Sequence, residues 1–305
     1  MKLCTELTPI MKTNGSLLYY KRDDLYAPYG KEGINGGKVR QAVQLFSEIH
    51  SDIISNHNNG VLTASSVHSP QSAIIAKVAQ EFDIDCIVAV GGTKEDTMNT
   101  HHMMRLSKYY GADVVNVAGH GMTTAIDALA KKKIIDNNGY KLIKFAIALD
   151  NNPEAIFDGV MNQVANIPDE LDVLVVPVGS GIQFAGILVG LEKYGKKVGR
   201  VIGVGFCDRR KNIDGYLNQF KYGDVLFGDG EVKVFPDYEM VLTDYDYSKS
   251  VWEKCAADGT LLDDIYEGKA HEWMRDNIDV KNQKTLFWVV GRRLREDEVD
   301  NLINK

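Results

Sequence analysis

The sequence predicts an α/β fold with mostly parallel sheets, and three observations carry that prediction. Short, β-branched apolar runs recur along the chain; amphipathic stretches of helix length separate most of them; and no fixed-period repeat or low-complexity tract breaks the alternation. Parallel neighbours cannot be joined by a tight turn, so this pattern implies crossover helices on both faces of each sheet.

In chain order, the first signal is Lys21-Arg22-Asp23-Asp24-Leu25, followed after a glycine-punctuated loop by Asn35-Gly36-Gly37-Lys38-Val39-Arg40. Val39, Val43 and Phe46 recur at helical spacing, so a helix starts where the glycines end and Lys38 stands at the corner. A strand is predicted over 60–64. Ser65-Ser66-Val67-His68-Ser69-Pro70-Gln71 links it to a helix over 71–81, with Pro70 suited to the first helical turn. Strands over 85–90, 113–117 and 142–148 then alternate with helices over 97–110, 123–137 and 153–166. The strand 171–178 opens through Gly179-Ser180-Gly181-Ile182-Gln183 into a helix over 184–194, and a strand over 200–206 follows. Residues 212–250, acidic and rich in Tyr and Gly, carry few clear elements and read as linker-like. Last come Leu262-Asp263-Asp264-Ile265-Tyr266-Glu267-Gly268-Lys269, at the entrance to a helix, and a strand over 285–290.

At 305 residues there is room for one large domain or two modest ones around a buried core. A net charge of −7 with no lysine- or arginine-rich face argues against a general nucleic-acid or acidic-membrane binder, and Lys131-Lys132-Lys133 reads as a solvated helix end. The apolar runs have strand length and the N-terminus is polar, so no membrane span or signal peptide is expected and the expected setting is cytoplasmic. Cys4, Cys86, Cys207 and Cys255 lack Cys-x-x-Cys spacing, which indicates neither a zinc site nor a disulfide framework. His101 and His102 are adjacent, and sequence neighbours point to different faces of a helix, so no metal site is expected.

Three places carry candidate chemistry. An amine at a backbone corner, Lys38, becomes a nucleophile or Schiff-base partner when burial or a nearby cation lowers its pKa, although a solvated lysine after a turn has the same local sequence. The small residues of Gly179-Ser180-Gly181 let backbone amides turn inward at a helix N-terminus, where a phosphate would be held; such a turn also closes loops that bind nothing. Glu267 before Gly268 could be a cap, a surface charge or a functional carboxylate.

Together, Thr8-Pro9-Ile10, Lys21-Arg22-Asp23-Asp24, Gly36-Gly37-Lys38-Val39-Arg40, Gly179-Ser180-Gly181 with Ala185-Gly186, and 262–269 resemble the fold type II, tryptophan-synthase-β-like pyridoxal-phosphate enzymes. The branch they are most similar to contains 1-aminocyclopropane-1-carboxylate deaminase and D-cysteine desulfhydrase. The resemblance implies two three-layer α/β/α domains: residues 1–45 plus 148–305 as the large cofactor domain and 46–147 as a small inserted one. It implies that Lys38 carries pyridoxal 5'-phosphate as a Schiff base and then moves a substrate proton. Gly179, Ser180, Gly181, Ile182 and Gln183 would surround the phosphate, and Glu267 would face the pyridine nitrogen, deepening the electron sink. Tyr266 would lie over the substrate, and Ser66 would stand near its carboxylate.

Departures from the family fall on the substrate side. Val67 replaces a common Asn and cannot hydrogen-bond to a substrate carboxylate. His68 is a second acid or base or a structural histidine, and Gln71 either holds the carboxylate or opens its helix. The C-terminal Val289-Val290-Gly291-Arg292-Arg293 lacks the His and paired glycines usual there. The leading expectation is a lyase or deaminase that acts on a small amino acid and gives a 2-oxo acid and ammonia, working as a homodimer. Alternatives are β-replacement, modification of a carrier-bound amino acid, and a non-catalytic cofactor-binding relative.

Overall fold

The computed structural model describes residues 6–91, 94–118, 139–147, 153–220, 233–245 and 249–305. The chain divides into two units. One comprises Met1–Pro28, Asn35–Gly37 and Phe157–Arg292; the other comprises Tyr29–Ile34, Lys38–Ile156 and Arg293–Lys305.

The first unit is built on β1 (Ile10–Lys12), β2 (Leu18–Arg22), β8 (Glu170–Pro177), β9 (Lys197–Gly205), β10 (Glu239–Leu242) and β11 (Thr285–Val289), in the spatial order β1-β2-β11-β8-β9-β10. Only the edge pair β1–β2 is antiparallel. All five residues of β11 are buried, as are the last five of β8. A central parallel strand covered on both faces has no solvent side, so its sequence is apolar throughout rather than alternating. On one face Tyr20, Val173, Val175, Ile202, Val204, Phe287 and Val289 form a core with Ala270 and Met274 of α8 (Glu267–Asn277). Two further helices, α6 (Ile182–Lys193) and α7 (Arg210–Phe220), follow β8 and β9. A separate two-residue pairing joins β3 (Asn35–Gly36) to β12 (Gly291–Arg292).

The second unit carries a parallel sheet of β4 (Gly60–Ser65), β5 (Asp85–Gly91), β6 (Asp113–Ala118) and β7 (Lys141–Ile143), ordered β6-β5-β4-β7. Leu62, Ala64, Ile87 and Ala89 sit at alternate positions and pack together with Val115, Val117 and Leu142, the two-residue period of a pleated face. Helix α1 (Gly37–Asn56) begins on Gly37, the end of the first unit's middle segment, and continues here, followed by α2 (Gln71–Glu81), α3 (Glu95–Thr100), α4 (His102–Tyr109) and α9 (Glu296–Ile303). Helix α5 (Pro153–Met161) runs from this unit into the first.

Several elements differ from the periodicity reading. The helix expected over 97–110 is broken at His101, whose extended backbone (φ −63°, ψ 128°) caps α4 as its ring Nδ1 accepts the Met103 N–H at 3.2 Å. The strand expected over 142–148 stops at Ile143 because Ala146 and Ile147 take left-handed backbone (φ 67° and 59°), which no strand accommodates. The linker-like stretch 212–250 contains most of α7 and the edge strand β10. The helix expected over 123–137, with Lys131-Lys132-Lys133, lies outside the described residues. Among the described residues no helix is long and apolar enough to cross a membrane, and no cluster of His, Cys, Asp and Glu could hold a metal ion.

Candidate active site

The Lys-Arg-Asp-Asp segment is a buried scaffold. Lys21 donates to the Thr8 carbonyl at 2.8 Å and to Asn166 Oδ1 at 2.7 Å, while Arg22 grips Asp24 through two bonds of 2.8 and 2.7 Å. Asp23 accepts from Thr8 Oγ1 at 2.7 Å and from the Trp288 indole at 3.0 Å. Ionic groups this deep persist only when paired and hydrogen-bonded, and here the network fixes the Asp23 carboxylate.

That carboxylate supports the turn ahead of Lys38. Gly36 has φ +109°, and a Cβ on it would lie 2.7 Å from Gly291 Cα; a Cβ on Gly37 would lie 2.8 Å from Gln183 Oε1 and 3.3 Å from Asp23 Oδ2. A side chain is therefore excluded at Gly36 and crowded at Gly37. The Gly37 N–H donates to Val290 O at 2.8 Å, and the Gly291 N–H donates to Glu267 Oε1 at 3.1 Å. Gly291 thus joins the strand before Lys38 to Glu267, which is 5 % exposed. Glu267 opens α8 behind a turn in which Asp263 Oδ1 accepts the N–H groups of Ile265 and Tyr266 at 2.9 and 3.0 Å. Lys38 itself, peptide-bonded to Gly37, is half-buried as the second residue of α1.

After β8, Gly179-Ser180-Gly181 turns into α6. Gly181 is the N-cap at φ +93°, without a side chain to satisfy the first amides of the helix, and a Cβ there would meet Ile213 of α7 at 2.9 Å. At Gly179 a Cβ would lie 3.1 Å from Tyr266 Cε1, and the Tyr266 ring packs on Phe206 at 5.4 Å. Ser180, Ile182 and Gln183 are buried. This donor set fits a phosphorylated pyridine: an uncapped helix N-terminus with glycines where side chains would intrude, and a buried carboxylate held by a backbone amide. Gly179 to Gln183, Tyr266, Glu267 and the glycine preceding Lys38 all belong to the first unit.

Ser66, Val67, His68 and Gln71 lie on the β4–α2 loop of the second unit. Ser66 and His68 are exposed, whereas Val67 is 5 % exposed. Gln71 uses its amide inside the fold: Nε2 donates to Thr63 Oγ1 and Lys144 O at 2.9 and 3.0 Å, and Oε1 accepts the Ala146 N–H at 3.0 Å. It ties the loop to the end of β7 as well as opening α2. His68 Nδ1 stands 3.1 Å from His101 Nε2. Since His101 Nδ1 accepts the Met103 amide, its proton lies on Nε2 and points to His68. Burial, then the positive groups around it, pushes the His101 imidazole down to about 4, and burial together with Arg293 lowers His68.

The sequence shows no sign of the parts played by His101, Gly291 and Asp263, and Arg209 stands in none of its motifs. Arg209 Nε donates to the Gly179 carbonyl at 2.9 Å. Its place just beyond a predicted strand end was the one local signal for it.

Residues 3–217 match the model of a family described as pyridoxal-phosphate dependent enzyme. An O-seryl-dTMP PLP-dependent decarboxylase of Salmonella phage ViI is 28 % identical over 94 % of this chain and 81 % of that protein. Among solved structures, an ACC deaminase homologue superposes with a TM-score of 0.71 at 22 % identity, covering 95 % of this chain and 90 % of its own. Threonine deaminase isoform 2 from Solanum lycopersicum gives 0.59 at 16 % identity, covering 97 % and 82 %. These two likenesses are of fold.

Proposed function

The chain belongs to the pyridoxal-phosphate-dependent enzymes, with the fold type II architecture and pyridoxal 5'-phosphate as cofactor, and from that premise we propose that it is a lyase removing the α-carboxylate of an amino acid linked through its side chain to a larger group. The observation that carries this reading is the buried Val67 on the β4–α2 loop. Valine in place of the family's common Asn offers a substrate carboxylate no side-chain hydrogen bond, a bond worth roughly 1.5–3 kcal/mol when one partner is charged. The carboxylate's departure as neutral CO2 relieves that deficit, whereas an Asn would stabilise the ground state. The phage relative, a decarboxylase of O-seryl-dTMP, supports both the reaction and a carrier-linked substrate.

When bound, the cofactor supplies an electron sink for the pair left on the α-carbon as a bond there breaks. Lys38 would hold the cofactor and, once displaced, deliver the proton that replaces the carboxylate on that carbon. Glu267 would keep a proton on the ring nitrogen, and the Gly179 to Gln183 turn would hold the phosphate. Gly36 and Gly37 present Lys38 without side chains of their own.

A second reading, elimination or deamination of a free amino acid, is favoured by Tyr266, whose ring is held between Gly179 and Phe206 where a proton donor to a leaving group could stand. The holoenzyme separates the two. Incubated with O-seryl-dTMP, free serine, D-cysteine and the cyclopropane amino acid, it is expected to release CO2 and the matching amine from the carrier-linked substrate alone. Ammonia and a 2-oxo acid from a free amino acid, without CO2, would reject decarboxylation in favour of the second reading.

A further inference from the structure

We propose that Arg209 is a ligand of the cofactor phosphate and gives this protein its preference for the phosphorylated form over pyridoxal. Strands β8 and β9 are adjacent and parallel, so the loops leaving their C-terminal ends lie side by side on the sheet edge where such folds bind ligands. The first loop is the Gly179-Ser180-Gly181 turn; the second, Phe206-Cys207-Asp208-Arg209, leads into α7.

Arg209 is fastened to that turn. Its Nε donates to the Gly179 carbonyl at 2.9 Å, and its Cβ lies 3.7 Å from where a Cβ of Gly181 would stand. The bond through Nε orients the guanidinium and leaves the Nη1 and Nη2 fork, whose geometry matches two phosphate oxygens.

Charge matching distinguishes Arg209 from six other arginines. Arg22, Arg105, Arg200, Arg210, Arg275 and Arg295 each hold a carboxylate. Arg209, half-buried, pairs with none among the described residues, and its neighbour Asp208 is taken by the Arg210 N–H and Nε at 2.9 and 3.1 Å. The cation also sits at the N-terminus of α6 and directly before that of α7, where both helix dipoles disfavour positive charge. A dianion at the Gly179 turn would offset that repulsion, because the guanidinium and both helix N-termini each attract it. The family assignment, whose match includes residue 209, supplies that dianion.

The inference rests on the cofactor and not on the reaction proposed above, so a failed decarboxylation assay leaves it standing. The test titrates cofactor-free wild type, Arg209→Met and Arg209→Lys with pyridoxal 5'-phosphate and with pyridoxal, read by visible absorbance, alongside urea melts. For Arg209→Met the Kd of the phosphorylated cofactor should rise roughly 10- to 100-fold, with that of pyridoxal unchanged. Arg209→Lys, which keeps the charge without the fork, should recover part of the loss. Equal weakening of both ligands would overturn the proposal and reduce Arg209 to a support for Gly179. Unaltered affinity for the phosphorylated cofactor would overturn it too, including the case in which only O-seryl-dTMP binds more weakly.

Discussion

Replacing Gly37 by alanine probes the turn that presents Lys38. Its methyl group would lie 2.8 Å from Gln183 Oε1, 3.2 Å from Val290 O and 3.3 Å from Asp23 Oδ2, whereas ordinary contacts begin at 3.4 Å, so something must yield by at least ~0.6 Å. Gln183 can swing aside. Val290 O cannot retreat freely, because it is backbone and accepts the Gly37 N–H at 2.8 Å, and Asp23 is held by Thr8 and Trp288. Gly36, not Gly37, occupies left-handed backbone, so alanine at 37 brings no φ penalty and the effect is one of space alone. Overpacking of this kind costs about 1–3 kcal/mol. A shift of the lysine approaching 1 Å would lower turnover about 100-fold. Urea melts of the cofactor-free protein measure the first quantity; visible absorbance of bound cofactor and steady-state turnover measure the second. An alanine variant with wild-type stability and turnover would show that the turn has slack, and the argument for Lys38 presentation would fail.

Two other substitutions and a pH series extend the test. Glu267→Gln keeps an acceptor for the Gly291 N–H and should change stability little, while Glu267→Ala removes it and should cost about 1–3 kcal/mol; both should abolish most turnover, and an active Gln variant would refute a role at the ring nitrogen. For His101 the folded pKa is about 4 against 6.5 in the unfolded chain, so below pH 6.5 the unfolded state binds the proton first. The His101 contribution to stability is therefore full above pH 6.5, falls as pH drops and levels near pH 4, with buried His271 adding in the same direction. Urea midpoints at pH 8, 6 and 5 measure the slope. His101→Asn, which keeps an N-cap acceptor, should flatten it, and an unchanged slope would clear His101 of any part in it.

Much of the architecture was legible because it rests on local period. Pro70 and the apolar spacing after it marked α2 at its observed limits, and the buried runs of β4, β5, β8 and β11 announced themselves by composition. Other elements carry too weak a local signal. The two-residue strands β3 and β12 are too short to carry a period, and the break at His101 depends on a ring capping the next turn.

By itself the chain determined the α/β class and a lysine at the end of a glycine pair, since both follow from residue types a few positions apart, and it carried the cofactor through the family resemblance of segments spread between residues 8 and 269. Only the tertiary structure decided that Gly291 links Gly36 to Glu267, that the Gln71 amide is spent on Thr63, Lys144 and Ala146, and that Arg209 reaches Gly179 with no carboxylate of its own among the described residues. Hydrogen bonding and charge pairing depend on which remote backbone atoms arrive within about 3 Å, and no local pattern encodes that meeting.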